Sequence, residues 1–272
     1  MSNISSVVLG IIQGLTEFLP VSSSGHLVIA QHLFNIVTEQ VFFDCILHIG
    51  TLLVVVYFFR NQIIDILLYW KKSIPHISGN FKNVIWGEGQ GKFTVTLVIS
   101  TFITGVIGIS AEDFLMSLFE KPMAVGVAFL ITTVILLSTR FAGRKKALDK
   151  VDLTLWHAVI LGVAQALAIV PGISRSGTTI AAALILGFKR EVAIEYSFFL
   201  FLIIAPPVTL KTYMDVTEFL PIPQILLGFV FSVISGYIAL AFLVKLVKQG
   251  GFHHFAWYTM ILGIWTLWYF GM

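Results

Sequence analysis

The chain has 272 residues, of which 57% are hydrophobic, 11% are charged and 14% are aromatic, and its net charge is +3. A soluble domain carries about 25% charged residues, and no soluble fold of this size could bury so much apolar sequence, so we expect an all-α polytopic membrane protein. The small net charge gives no reason to expect a nucleic-acid partner. Cys45 is the single cysteine, which excludes an intramolecular disulfide and a cysteine-based metal cluster.

The first element, residues 4–34, is an apolar run, a break at Pro20 and the serines after it, and a second apolar run. Each half is short for a membrane crossing, which needs about 20 residues. Non-helical backbone at membrane depth is tolerated only where protein or a wet cavity surrounds it. We therefore predict a re-entrant helix pair that enters and leaves the membrane on the same side.

The polar residues of this pair form a candidate site. Gln13 and Glu17 are four residues apart and so share one helix face. The second helix opens with hydroxyls and an imidazole, at Ser22, Ser23, Ser24 and His26. Its first N–H groups are unpaired and attract anions. Glu17, Ser23 and His26 offer a carboxylate, a nucleophile and a base, whereas Ser22 and Ser24 are explained equally well as helix caps.

Three predicted spans follow, at residues 42–60, 93–111 and 122–140. Asp44 and His48 lie near the outer end of the first span, and either could line the cavity, although a structural role is the more common one for such residues. Residues 71–92 contain glycine, asparagine, lysine and a proline, which predicts a cytoplasmic loop or a surface helix.

Residues 155–187 repeat the broken pattern and predict a second re-entrant pair. Pro171 and Gly172 break the helix, and the next helix is capped by hydroxyls, at Ser174, Ser176, Thr178 and Thr179. Arg175 stands where the first motif has Ser23. A guanidinium inside a membrane needs an anionic partner, and its fork matches a phosphate. A pair with Glu17 or Glu195 is the structural alternative, and it is compatible with phosphate binding.

Three further spans are predicted at residues 192–211, 223–246 and 254–271. With six spans and two re-entrant pairs, fourteen basic residues fall on one side of the membrane and two, Lys121 and Lys211, on the other; Arg175 lies inside the second pair and is not counted. The positive-inside rule then places both termini outside the cytoplasm and the loops 61–92, 141–154 and 247–253 inside.

The two broken segments are related to each other. A shift of 152 residues gives six identities in seventeen positions, among them Gly10 with Gly162 and Gln13 with Gln165. Since the two pairs lie on opposite sides, we predict an inverted repeat within one membrane domain, residues 1–272. The first repeat, 1–121, contains the pair 4–34, and the second half, 122–272, contains the pair 155–187. Inverted repeats place functional sites near the membrane midplane.

The motifs Gln-x-x-x-Glu with Pro-Val-Ser-Ser-Ser-Gly-His and Pro-Gly-x-Ser-Arg-Ser-Gly-x-Thr closely resemble those of the bacterial undecaprenyl-diphosphate phosphatase, or bacitracin-resistance, family. The resemblance extends over nearly the whole chain. It implies hydrolysis of undecaprenyl diphosphate to undecaprenyl phosphate and inorganic phosphate, which recycles the lipid carrier of cell-wall synthesis and confers bacitracin resistance. It also implies a bacterial plasma (inner) membrane location and a site open to the extracytoplasmic side.

Carried over to this sequence, the resemblance implies four catalytic residues, Glu17, Ser23, His26 and Arg175, and five phosphate-binding residues, Ser22, Ser24, Ser174, Ser176 and Thr179. It further implies a divalent cation, Mg²⁺ or Ca²⁺. Gln13 stands where the family has Glu or Gln, so Gln13 and Glu17 would supply only part of the metal coordination and the diphosphate the rest.

Ser23 is the candidate nucleophile, with His26 as acid/base and Glu17 orienting the site or binding metal; a phosphohistidine at His26 and direct attack by water remain open. The expected partners are the polyprenyl diphosphate, membrane lipids and a second copy of the chain in a homodimer. The alternative function is a secondary transporter or lipid flippase, which would share the inverted repeat but would need no nucleophile and base.

Overall fold

The computed structural model of the protein describes residues 2–33, 41–87, 89–144, 147–214 and 221–272. Within these ranges the chain is helical, with one isolated β-bridge between Leu148 and Phe188. The helices in chain order are α1 Asn3–Phe18, α2 Ser23–Leu33, α3 Val41–Phe58, α4 Arg60–Ser73, α5 Ile77–Trp86, α6 Gly89–Ser110, α7 Glu112–Phe119, α8 Pro122–Ser138, α9 Leu155–Leu167, α10 Arg175–Leu186, α11 Arg190–Met214, α12 Ile222–Gln249 and α13 Phe255–Gly271.

Helices stand at all six positions predicted as spans. Four of them, α6, α8, α11 and α12, are each long and apolar enough to cross a membrane. A fifth crossing is available through α3, which bends by 70° into α4. The sixth position is α13, whose 17 residues stand at the lower end of the range for a crossing. The six-span arrangement itself stays a prediction.

The two predicted breaks are present where the sequence places them. Leu19 is extended, with φ −61° and ψ 146°, because the following Pro20 disfavours the helical conformation at that position. In the second segment the chain leaves α9 after Leu167 and turns through Gly172 at φ 97°, a left-handed conformation that suits glycine. Both breaks are followed by a short second helix, α2 or α10, that packs against the first.

Small residues allow the broken segments to pack closely against long helices. A Cβ added at Gly10 of α1 would lie 3.1 Å from the Cα of Gly228 in α12. A Cβ at Gly162 of α9, which the 152-residue shift equates with Gly10, would lie 3.0 Å from the Cα of Ser100 in α6. Such contacts between small residues are typical of helix packing inside membranes. The two broken segments thus use equivalent glycines to contact different long helices.

The outer faces of the helices are apolar. Phe102, Val134, Ile238 and Ile261, from four different helices, are all at least 60% exposed. Apolar faces of this extent suit contact with lipid rather than water. The protein is therefore a multi-pass membrane protein.

Basic residues gather at the end of the molecule that the sequence assigns to the cytoplasm. Lys150 Nζ lies 2.5 Å from Glu195 Oε1, and Lys189 Nζ lies 2.5 Å from Asp149 Oδ2. The pair with Lys150 explains Glu195 and removes it as a partner for Arg175. The predicted surface segment 71–92 is helical over most of its described part, and α4 within it buries no residue.

Candidate active site

The two breaks lie against each other in the interior. Ser22 Oγ accepts a hydrogen bond from the amide of Gly172 (3.1 Å), and Ser176 Oγ donates to the carbonyl of Leu19 (3.3 Å). A Cβ on Gly25 would lie 2.9 Å from the Cα of Gly172, so only glycine permits this approach. The starts of α2 and α10 are thereby brought together, and both helix dipoles contribute positive potential to the same region.

Glu17 is the centre of the site, with a side chain that is only 6% exposed. Its Oε1 accepts from Arg175 Nη2 at 2.6 Å, and its Oε2 accepts from Ser23 Oγ at 2.6 Å and from Gln13 Nε2 at 3.0 Å. A buried carboxylate is tolerated when it is paired and hydrogen-bonded in this way. The packing of Phe18 against Phe198, with ring centroids 5.8 Å apart, fixes the end of α1 that carries Glu17.

Ser23 and Glu17 have the geometry of a nucleophile and its base. The hydroxyl proton of Ser23 points at a carboxylate oxygen, and the distance of 2.6 Å lies within the range expected for such a pair. Ser23 is also the first residue of α2, so its oxygen lies where the free N–H groups of the helix favour negative charge.

Arg175 offers a free half of its guanidinium. One nitrogen binds Glu17, while Nη1 is buried and has no hydrogen-bond partner among the described residues. The guanidinium carbon lies 3.9 Å from the centre of the Phe201 ring, which holds the plane of the fork. The structural alternative, a pair with Glu17, is therefore present, and donors remain for a phosphate.

His26 has different partners from those that the sequence suggested. Its Nδ1 lies 2.7 Å from the carbonyl oxygen of Ser22, which can only accept, so Nδ1 carries the hydrogen. Its Nε2 then accepts from the hydroxyl of Tyr258 at 2.7 Å, and the two rings are parallel within 5°. Among the described contacts no hydrogen bond joins His26 to Ser23.

Tyr258 is a site residue that sequence reasoning missed. It lies 232 residues from His26, in the apolar helix α13, and no motif surrounds it. Two more residues were underrated. His48 Nε2 lies 3.7 Å from Glu17 Oε2, and Asp44, one turn earlier, accepts from Gln31 Nε2 at 3.2 Å.

Most of the hydroxyls predicted to bind phosphate are engaged by the protein. Ser22 has φ 67°, a strained conformation for a residue with a side chain, and its Oγ also accepts from the amide of Gly25 at 3.3 Å. Ser174 caps α10 by accepting from the amide of Gly177, and Thr179 Oγ1 lies 2.6 Å from Ser197 Oγ. Ser24, which is partly exposed, contacts Ser22 Oγ at 3.3 Å and is the most available of the set.

The side chains fit a divalent cation only in part. Gln13 Oε1 is buried and has no partner among the described residues, which leaves one oxygen for a metal. The carboxylate of Glu17 is the second oxygen donor, but it already accepts from three groups. No cluster of three or more His, Cys, Asp or Glu residues with metal-binding geometry occurs in the described part of the chain. A hard cation could therefore take from this site one or two oxygens of the six or more that it requires.

The fold and the site define a polytopic membrane protein with a serine, a carboxylate and an arginine assembled between two broken helices. The chain belongs to the bacitracin resistance protein BacA family, whose model matches residues 6–265.

Relatives of this chain are similar over almost their full length. An undecaprenyl-diphosphatase of Halothermothrix orenii is 39% identical over 263 residues, covering 95% of this chain and 94% of the relative. An undecaprenyl-diphosphatase of Korarchaeum cryptofilum is 38% identical over 263 residues, with 95% and 96% covered. Undecaprenyl-diphosphatase 1 of Bacillus cereus is 36% identical over 267 residues, with 96% and 95% covered.

The contact between Tyr258 and His26 leads to a prediction. Tyr258→Phe removes the hydroxyl that binds Nε2 and should lower activity about 3- to 10-fold, the equivalent of one hydrogen bond. Tyr269→Phe is the matched control, because Tyr269 lies on the same helix and packs on Trp265 and Phe270 instead. Phosphate release by the two purified variants measures the difference. Equal activity of both variants and the wild type would mean that His26 does not depend on Tyr258.

Proposed function

We propose that this protein hydrolyses undecaprenyl diphosphate to undecaprenyl phosphate and inorganic phosphate, recycles the lipid carrier for cell-wall synthesis and thereby confers bacitracin resistance. The family and the names of the relatives support this substrate. The observation that carries the chemistry is the chain of contacts from Ser23 through Glu17 to Arg175, with both hydrogen bonds at 2.6 Å. It combines a nucleophile, a base and a phosphate-binding cation in one place.

In the first step Ser23 Oγ attacks the terminal phosphorus. The O–P bond forms, the bond from phosphorus to the bridging oxygen breaks, and undecaprenyl phosphate leaves with that oxygen. Glu17 takes the proton of Ser23, because Oε2 is the group that the hydroxyl contacts. Arg175 Nη1 and the N–H groups at the starts of α2 and α10 stabilise the charge on the equatorial oxygens.

In the second step water attacks the phosphoserine, phosphate leaves, and Ser23 regains a proton. Glu17 again serves as the base, since it is the carboxylate next to Ser23. His26 has both ring nitrogens engaged, so we assign it the support of the backbone at Ser22 rather than the acid/base role. The same contacts argue against a phosphohistidine at this residue.

A divalent cation, Mg²⁺ or Ca²⁺, is part of the proposal. Gln13 Oε1 and Glu17 would supply its protein oxygens, and the diphosphate would supply most of the rest. When bound, the cation would neutralise charge on the diphosphate.

The prenyl chain has an apolar groove beside the site. A cavity of about 370 Å³ between α3 and α11 is lined by Cys45, Ile46, Ile49, Leu52, Pro206, Thr209 and Leu210. Cys45 and Ile49 flank His48, which faces Glu17. We propose that the first isoprene units lie here while the diphosphate reaches Arg175, and that the rest of the chain stays in lipid.

The inverted repeat and its orientation belong to the same proposal. The equivalent packing of Gly10 and Gly162 supports two re-entrant pairs of opposite direction, and the clustering of basic residues at one end supports a cytoplasmic location for that end. The site then opens to the extracytoplasmic side of the plasma membrane. The homodimer stays a prediction.

Cysteine labelling tests the orientation. In a Cys45→Ala background, Asn3→Cys should react with an impermeant maleimide added to intact cells, and Ala147→Cys should react only after the membrane is opened, because the two positions are exposed and lie on opposite sides. Position 145, in the same loop, lies outside the described residues. Reaction of Ala147→Cys in intact cells would contradict the orientation.

Phosphate release tests the function itself. The purified protein in detergent should release phosphate from undecaprenyl diphosphate but not from undecaprenyl phosphate, since the proposed reaction cleaves an anhydride. An inactive, folded wild-type protein with Mg²⁺ and Ca²⁺ supplied would contradict the proposed function.

A further inference from the structure

His48 faces the candidate base from a third helix. Its Nε2 lies 3.7 Å from Glu17 Oε2, the oxygen to which Ser23 and Gln13 donate. The distance is that of an ion pair and is longer than a hydrogen bond. The structure therefore places an imidazole next to the oxygen that receives the proton of the nucleophile.

The orientation of the ring leaves Nε2 ready to accept a proton. Nδ1 lies 2.8 Å from the carbonyl oxygen of Asp44, and since a carbonyl only accepts, Nδ1 carries the hydrogen of the neutral ring. Nε2 then presents a lone pair toward Glu17. This arrangement is unfavourable while Glu17 is a carboxylate and becomes a hydrogen bond when either group is protonated.

His48 also connects Glu17 with the surface. The side chain of Glu17 is 6% exposed, whereas that of His48 is 34% exposed. Asp44, one turn before His48, has a carboxylate oxygen, Oδ1, that is buried and has no partner among the described residues. A buried negative charge at this distance attracts the positive charge of a protonated ring.

Few other ionisable groups lie around His48 in the described structure. Cys45 on the same helix contacts the carbonyl of Thr209 through its thiol, at 3.9 Å. The neighbouring helices meet α3 through uncharged residues, Pro206, Thr209 and Leu210 of α11 and Gly228, Phe229, Ser232 and Val233 of α12. Arg175 reaches this region only across Glu17.

The reaction has a proton to dispose of. Hydrolysis of a diphosphate consumes one water, and because the second pKa of a phosphate monoester is about 6, the products at neutral pH together keep about one of its two protons. About one proton per turnover must therefore leave a site whose base is buried.

We propose that His48 accepts this proton from Glu17 and passes it to the surface, a role that rests on the proposed phosphatase function. The O–H bond at Glu17 Oε2 breaks and an N–H bond forms at His48 Nε2, which restores the carboxylate and leaves an imidazolium. The proton then moves from Nε2 to water and the neutral ring returns. His48 acts through Glu17 and is a positioning residue for the reaction.

His48→Gln tests the proposal, because glutamine keeps a polar side chain but does not titrate. We expect kcat to fall about 10²-fold, within the usual range for assisted proton transfer, with KM unchanged. His32→Gln is the matched control: His32 makes the same type of bond, from Nδ1 to the carbonyl of Val28 at 2.8 Å, but lies near the end of α2. It should keep the wild-type kcat.

A chemical rescue separates a proton acceptor from a structural residue. His48→Ala should regain at least about a tenth of the wild-type kcat in the presence of imidazole, and Ser23→Ala should regain none. Wild-type kcat in His48→Gln, a loss confined to KM, or no rescue of a folded His48→Ala would each overturn the proposal. A folded wild-type protein that releases no phosphate would instead contradict the phosphatase function.

Discussion

Ser23→Ala should lower kcat by at least about 10³-fold, and Glu17→Gln by a similar factor, because the two residues are proposed to act as one nucleophile and base. Their hydrogen bond of 2.6 Å is the most direct catalytic contact in the site. Groups that act as a unit are strongly non-additive. The double variant should therefore be little worse than the more damaged single variant, and turnover of purified protein measures all three.

The controls for this prediction address folding and the choice of nucleophile. Glu17→Gln leaves the buried charge of Arg175 without its partner, so the folded fraction has to be checked by gel filtration and thermal unfolding. Ser23→Cys keeps a nucleophile and should retain some turnover. Substantial turnover in Ser23→Ala, with none in His26→Ala, would contradict the assignment and make His26 the nucleophile or the base for an attacking water.

Arg175→Lys should reduce kcat nearly as much as Arg175→Ala, by about 10² to 10³-fold, the size of the loss when one preorganised donor is removed from a transition state. A lysine can satisfy Glu17 but cannot also present a second nitrogen to the phosphate. The effect should fall mainly on kcat, because the clamp tightens as charge develops.

Arg60→Lys is the matched control for the same chemical change. Arg60 donates to the carbonyl of Tyr57 at 2.8 Å and lies over its ring at the surface, so its replacement should leave turnover unchanged. Near wild-type kcat in Arg175→Lys would mean that Arg175 acts as a point charge or only as a partner of Glu17.

The sequence predicted the chemical types present in the site better than their pairing. Glu17, Ser23 and Arg175 were singled out because polar residues are costly among apolar ones, and the structure brings these three together. The suggested cooperation of Ser23 with His26 rested on their spacing of three residues. In the structure Ser23 turns to Glu17 and His26 to Tyr258, since the strained backbone at Ser22 redirects the start of α2.

Composition and local pattern by themselves determined that this is a helical membrane protein with two breaks, because apolar runs and the backbone limits of proline and glycine act within a few residues. Only the tertiary structure decided that Arg175 reaches Glu17 across 158 residues, that Tyr258 holds His26 across 232, and that His48 stands behind Glu17. These contacts depend on how α1, α2, α3, α10 and α13 pack. Spacing along one helix carries no information about which distant side chain fills the space beside a buried charge.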